Sequence, residues 1–154
     1  MTYNIHPLIV HFPIALLFLY SVVKILPLRQ FFSKVSWKHI ERFLLIFGLL
    51  GAAAAIYTGG IAEHLVGPNK QLVEMHSTFA FASLGIYGFL LFLEIVGLIK
   101  PKYEGITNGV ISKFLALAGL VAISITGMLG GVMVYGLSAD PLAPMVLKLL
   151  NIHL

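Results

Sequence analysis

The chain has 154 residues, 59% of them hydrophobic and only 10% charged, with a mean hydropathy of +0.98. That balance leaves too little polar surface to coat a water-soluble domain, so the chain reads as an integral membrane protein. Its net charge of +4 sits around the connections, where it is a topological signal and calls for no nucleic acid. The absence of cysteine excludes disulfides, thiolate zinc sites, cysteine-ligated iron–sulfur clusters and C-x-x-C-H haem attachment.

Four apolar runs, at about residues 7–26, 40–65, 71–99 and 110–136, are each long enough to cross a hydrocarbon core of about 30 Å as a helix. Backbone polar groups find no water there, so helices are expected throughout, in an all-α up-down four-helix bundle that occupies residues 1–154 as a single domain. The breaks carry turn formers: Pro27, Gly67-Pro68-Asn69, Pro101 and Asn108-Gly109. The first run has no basic residues before it and no A-x-A-like site after it, so it is expected to be retained and not cleaved as a signal peptide. Beyond the fourth run, Leu142, Met145, Val146, Leu149, Leu150 and Leu154 have the spacing of a short C-terminal helix lying in the interface.

Lys24, Arg29, Lys34, Lys38 and Arg42 flank the first connection, and Lys100, Lys102 and Lys113 flank the third. The positive-inside rule then puts both connections in the cytoplasm and both termini outside.

Four histidines, His6, His11, His64 and His76, gather toward the outer ends of runs that are otherwise nearly free of charge. Ionisable or ligating groups at membrane depth are costly without a partner, so the cluster is a candidate site. With no cysteine, these residues suit a non-covalent b-type haem. Runs one and three are diagonal in an up-down bundle, and His11 and His76 lie at similar depths below the outer surface, which makes them the expected axial metal ligands. His6 lies about 140° round the helix from His11 and roughly 7 Å shallower, so the two cannot easily ligate one metal. His6 and His64 could hold a second haem, bond the propionates of the first, or sit at the interface, as His39 and His153 do.

Room for a macrocycle is expected on the other diagonal. Run two carries Gly51, Ala55, Gly59 and Gly60, and run four carries Gly127, Gly130 and Gly131, while Ala15 and Ala80 lie one turn deeper than the expected ligands. Small residues in such rows equally suit close helix contact. Pro7 and Pro13 bracket His11. Pro13 frees a carbonyl near residue 9 that could orient an imidazole through its second nitrogen. Tyr57, Thr78 and Tyr135 are candidate contributors around the site, and Lys70 is the nearby cation.

His6-Pro7-Leu8-Ile9-Val10-His11-Phe12-Pro13 resembles the H-P-x-x-V-H-F-P signature that opens a widespread bacterial membrane family, domain of unknown function 2231. The resemblance continues through His76 and a G-G-x-x-V-Y ending, here Gly130 to Tyr135, and spans essentially the whole chain. It implies a four-helix protein of the bacterial inner membrane. Some family members are fused to or encoded beside cytochrome or Rieske modules, which implies haem-linked electron transfer, with such a protein as redox partner.

The expected activity is therefore one-electron transfer by a low-spin haem b near the outer face, in or beside a respiratory or photosynthetic chain, and not stand-alone enzyme catalysis. Two axial imidazoles leave the iron no open position for oxygen chemistry. Two alternatives stand beside it. One is divalent metal binding or transport by His6, His11, Glu63, His64, Glu74 and His76. The inner half offers a transport route little beyond Glu94, which can snorkel or pair with Lys24. The other is a haem-free accessory subunit of a larger membrane complex.

Overall fold

The computed structural model describes residues 5–63, 69–107 and 109–152. Four long helices dominate it: α1 (His6–Ile25), α3 (Trp37–Glu63), α4 (Lys70–Ile99) and α6 (Val110–Tyr135). Short helices punctuate the connections and the tail, namely α2 (Leu28–Phe31), α5 (Glu104–Thr107) and α7 (Ala143–Leu149). All four long helices are long and apolar enough to cross a membrane, and large side chains such as Phe12, Phe43, Phe81, Phe92 and Leu117 point outward. An outward apolar coat over a helical bundle is the arrangement that lipid requires, so this is a multi-pass membrane protein whose outer surface contacts the bilayer.

Local chemistry sets the helix ends. Pro27 follows α1, which runs unbroken through Pro13. The Asn69 side chain caps α4 by accepting from the backbone N–H of Gln71 and Leu72. At the far end of α6, Gly136 takes a φ of 77°, a left-handed conformation that glycine adopts without steric cost.

α1 packs on α3 and α6, and α4 packs on the same two helices. α1 and α4 therefore face each other across one diagonal, and α3 and α6 across the other. Where lipid supplies no hydrophobic drive between helices, close contact must do the work. A Cβ on Gly48 would lie 2.6 Å from a Leu17 methyl, one on Gly51 2.9 Å from the Phe12 ring, and one on Gly119 2.8 Å from the Tyr87 ring. These glycines let the helices meet around a core of Leu17, Tyr20, Leu45, Tyr87 and Leu90.

The tail helix α7 departs from its expected face. Ala143 and Leu147, with Ile152 beyond the helix, are buried against Leu72, Leu129 and Val132, while Leu142, Met145 and Leu149 are exposed. The helix has two apolar sides, and the one that carries Ala143 and Leu147 is docked. Gln71 ties the segment down by donating to the Asn151 carbonyl at 2.9 Å.

The ends of α1 and α4 and the starts of α3 and α6 form the basic end of the bundle. Lys24 is inserted there between Glu41, at 2.8 Å, and Glu94, at 3.3 Å. Arg29 bonds Glu41 and Arg42 bonds Glu94 from nearer the surface. The Lys24, Glu41 and Glu94 side chains are only 2%, 4% and 9% exposed, so each charge depends on the others. Lys38 and Glu104 pair in the open. Lys24→Met leaves two buried carboxylates without their central cation and is expected to lower stability by about 3–5 kcal/mol, whereas Lys38→Met costs about 0–1 kcal/mol. Thermal melting of the two variants in detergent checks the difference.

Candidate functional site

At the end opposite the basic connections the four long helices splay around a cavity of about 620 Å³, within the range of roughly 300–1,000 Å³ that cofactor sites occupy. Its walls are mainly apolar, and His6, His11 and His76 all line it. His64 lies outside the described residues.

The ring contact is between His6 and His76, whose centres stand 6.4 Å apart with planes at 87°. His11, expected opposite His76, is exposed at the cavity mouth. The difference is one of depth. The first residue of α1 is level with the second turn of α4 and with Thr58, one turn before the end of α3, so α1 begins deeper in the bundle than a count from the apolar boundary suggests.

Each imidazole is held through Nδ1. His76 Nδ1 lies 3.0 Å from the Thr126 carbonyl, and a carbonyl only accepts, so Nδ1 carries the proton and Nε2 the lone pair. His11 Nδ1 donates in the same way to the Pro7 carbonyl at 2.6 Å. That is the carbonyl one turn back, and not the one near residue 9 that Pro13 frees. His6 Nδ1 lies 3.1 Å from the Thr58 hydroxyl. This hydroxyl sits 3.0 and 3.1 Å from the Ala54 and Ala55 carbonyls. Its own proton goes to a carbonyl, so toward His6 it is the acceptor and His6 Nδ1 is the donor. All three rings thus adopt the tautomer in which Nε2 is the basic nitrogen, and a second-nitrogen bond of this kind fixes the orientation of ligating histidines.

The glycines divide by role. A Cβ on Gly59 would stand 3.1 Å from the His6 ring, and one on Gly130 3.3 Å from the His76 ring, so these two give the imidazoles room. Gly60 and Gly131 have nothing within 4 Å of an added Cβ and border open space in the cavity. Ala80 lines the cavity, whereas Ala15 faces outward and is not among the lining residues. Tyr57 and Tyr135 are 74% and 71% exposed at its rim. Thr78 is exposed and bonds the Glu74 carbonyl of its own helix, so it takes no part.

Sequence reasoning passed over the two threonines that orient the histidines. The available signal is that each directly precedes a glycine, Thr58 before Gly59-Gly60 and Thr126 before Gly127. It also undercounted the inner half, where Glu41, Tyr20, Ser21 and Tyr87 are buried in addition to Glu94. Glu94 does pair with Lys24.

Gly119 and Gly131 lie on one helix in opposite circumstances. Gly119→Ala drives a methyl against the Tyr87 ring and is expected to cost about 1–3 kcal/mol. Gly131→Ala meets open space and gains about 0.5–1 kcal/mol from helix propensity. Paired melting curves read the opposite signs.

The family described as "Predicted membrane protein (DUF2231)" matches residues 2–140. No curated protein and no solved structure gives a match.

Proposed function

The chain belongs to the DUF2231 family of predicted membrane proteins, and we propose that it is a b-type haem protein carrying single electrons, with His6 and His76 as the axial pair. The observation that carries this reading is the spacing of those two rings. Metal–nitrogen bonds of about 2.0–2.1 Å on either side of one metal, plus the imidazole radii, put ring centres roughly 6 Å apart, and the His6 and His76 centres are 6.4 Å apart. The donor set agrees, since both rings carry Nδ1–H bonds that leave Nε2 as the basic nitrogen.

A bare divalent cation takes three or more protein donors in most sites. No group of three histidine, aspartate or glutamate side chains is gathered among the described residues. A macrocycle brings its own equatorial nitrogens and asks the protein only for an axial pair. Gly60 and Gly131 border the open space such a flat group would fill, and the apolar walls would keep water from it. When bound, the haem would supply an iron that changes by one electron, with both axial positions taken and none open for oxygen. The protein's part is to fix the two rings through Thr58 and Thr126 and to exclude solvent. The distribution of lysine and arginine supports a cavity that faces the periplasm, where a soluble cytochrome or a Rieske protein would be a suitable partner.

The test is the reduced-minus-oxidised absorption spectrum of the detergent-purified chain with pyridine haemochrome quantification. Sharp b-type bands at one haem per chain are expected. His6→Ala and His76→Ala should each lose them, whereas His11→Ala should keep them. Gly131→Leu, which fills the open space beside His76, should fold and lose the pigment. A colourless protein from haem-replete cells, or full haem in both axial variants, contradicts the assignment.

A further inference from the structure

A second buried feature leads away from the floor of the cavity. Ser83 lines that cavity, and below it on the same face of α4 come Tyr87 and Glu94. From Ser83 to Glu94 the drop is about 16 Å, more than half of a hydrocarbon core of about 30 Å. Alongside, α1 contributes Tyr20, Ser21 and Lys24, and α3 contributes Glu41. All seven residues are at most 7% exposed. Beside the leucine, alanine and glycine that fill much of the bundle, these residues make a polar column running from the histidine end toward the basic end.

Its links are of three kinds. Ser21 and Tyr87 share a hydrogen bond of 2.8 Å that either hydroxyl can donate, and Tyr87 Oη also lies 3.2 Å from the Leu17 carbonyl. Lys24, Glu41 and Glu94 are joined by ion pairs that reach solvent through Arg29, whose side chain is 44% exposed. Tyr20 neighbours both groups, its ring 6.0 Å from that of Tyr87 and its place on α1 one turn before Lys24, on the same face of the helix. Tyr20 Oη is fully buried and has no hydrogen-bond partner among the described residues. Phenylalanine would fill the same space without a buried, unsatisfied hydroxyl. A polar atom so placed among other polar groups marks the seat of an internal water.

We propose that Tyr20 holds an internal water, and that this water completes a proton relay from the basic end of the bundle, through Glu41, Glu94 and Lys24, to Ser21 and Tyr87 beneath the cavity. Each oxygen in the relay, and the Lys24 nitrogen, gains one bond to hydrogen as it gives up another. The proton entering at the ion cluster is balanced by one leaving at the cavity, and no electron moves. Intramembrane ionisable groups that pair with one another mark such relays. At the cavity the proton can leave by the mouth, where His11, Tyr57 and Tyr135 are exposed. The relay rests on the column itself and stands whatever fills the cavity.

Proteoliposomes of the full chain enclosing a pH-sensitive dye, with the potential clamped by potassium and valinomycin, test it after an external acid step. Wild-type vesicles are expected to equilibrate at least about tenfold faster than protein-free ones. Tyr20→Phe should fall to the protein-free rate, as should Ser21→Ala, which breaks the link to Tyr87. Tyr103→Phe, in the connection after α4, should match wild type. Melting curves establish that each variant is folded, and the absorption spectrum of the same sample reports the haem assignment separately. Wild-type vesicles no faster than protein-free ones, or a folded Tyr20→Phe protein as fast as wild type, overturns the relay.

Discussion

A polar side chain in hydrocarbon has no water to fall back on, and in this protein that constraint decides where nearly every such residue goes. Lys24 could not remain charged in the bundle without Glu41 and Glu94 beside it. His6 and His76 each spend one ring nitrogen on an oxygen of a neighbouring helix, Thr58 on α3 and Thr126 on α6. The partner is found across a helix boundary in every one of these cases. The bonds that satisfy the polar groups therefore also set the relative rotation and depth of the helices.

Helix contact by itself does not specify a site, because lipid tails compete with leucine on equal terms. The glycines show how the bundle uses contact where it needs it and withholds it elsewhere. Gly48, Gly51 and Gly119 bring backbones against large side chains, whereas Gly60 and Gly131 preserve a gap. The gap these two glycines border lies at the histidine end of the bundle, which sets the cavity beside one end of the four spans. A cofactor there would be short of the far face by the length of the Tyr87–Glu94 segment, which is where the polar column runs. The proposed electron site near one face and the proposed proton route toward the other would divide the molecule between them.

Hydropathy made the four spans and their diagonal pairing legible, because lipid enforces both length and helicity. The ends were harder. α3 begins at Trp37, ahead of the apolar run that suggests residue 40, since a helix can continue past the hydrocarbon into the headgroups. The ring contact of His6 with His76 was not foreseen for a related reason. Depth was counted from the apolar boundaries, yet Pro7 favours a helix start right at His6 and brings that ring level with His76. Glu41 drew no notice among the basic residues around the first connection, and only its contact with Lys24 reveals its place in the bundle. Thr58 and Thr126 were hidden because their hydroxyls bond their own helices, as a threonine in an apolar helix usually does, and because His76 is held by the main-chain carbonyl of Thr126, which no side chain announces.

As the proposed pair, His6 and His76 would hold one iron between rings whose planes stand near perpendicular, at 87°. Low-temperature electron paramagnetic resonance of the oxidised protein reads that angle directly. Crossed imidazole planes give a strongly anisotropic low-spin signal, whereas parallel planes give an ordinary rhombic one. The account predicts the anisotropic signal in wild type and in His11→Ala, and its loss in His6→Ala. A rhombic low-spin signal, a high-spin signal in wild type, or a signal that survives His6→Ala would contradict it.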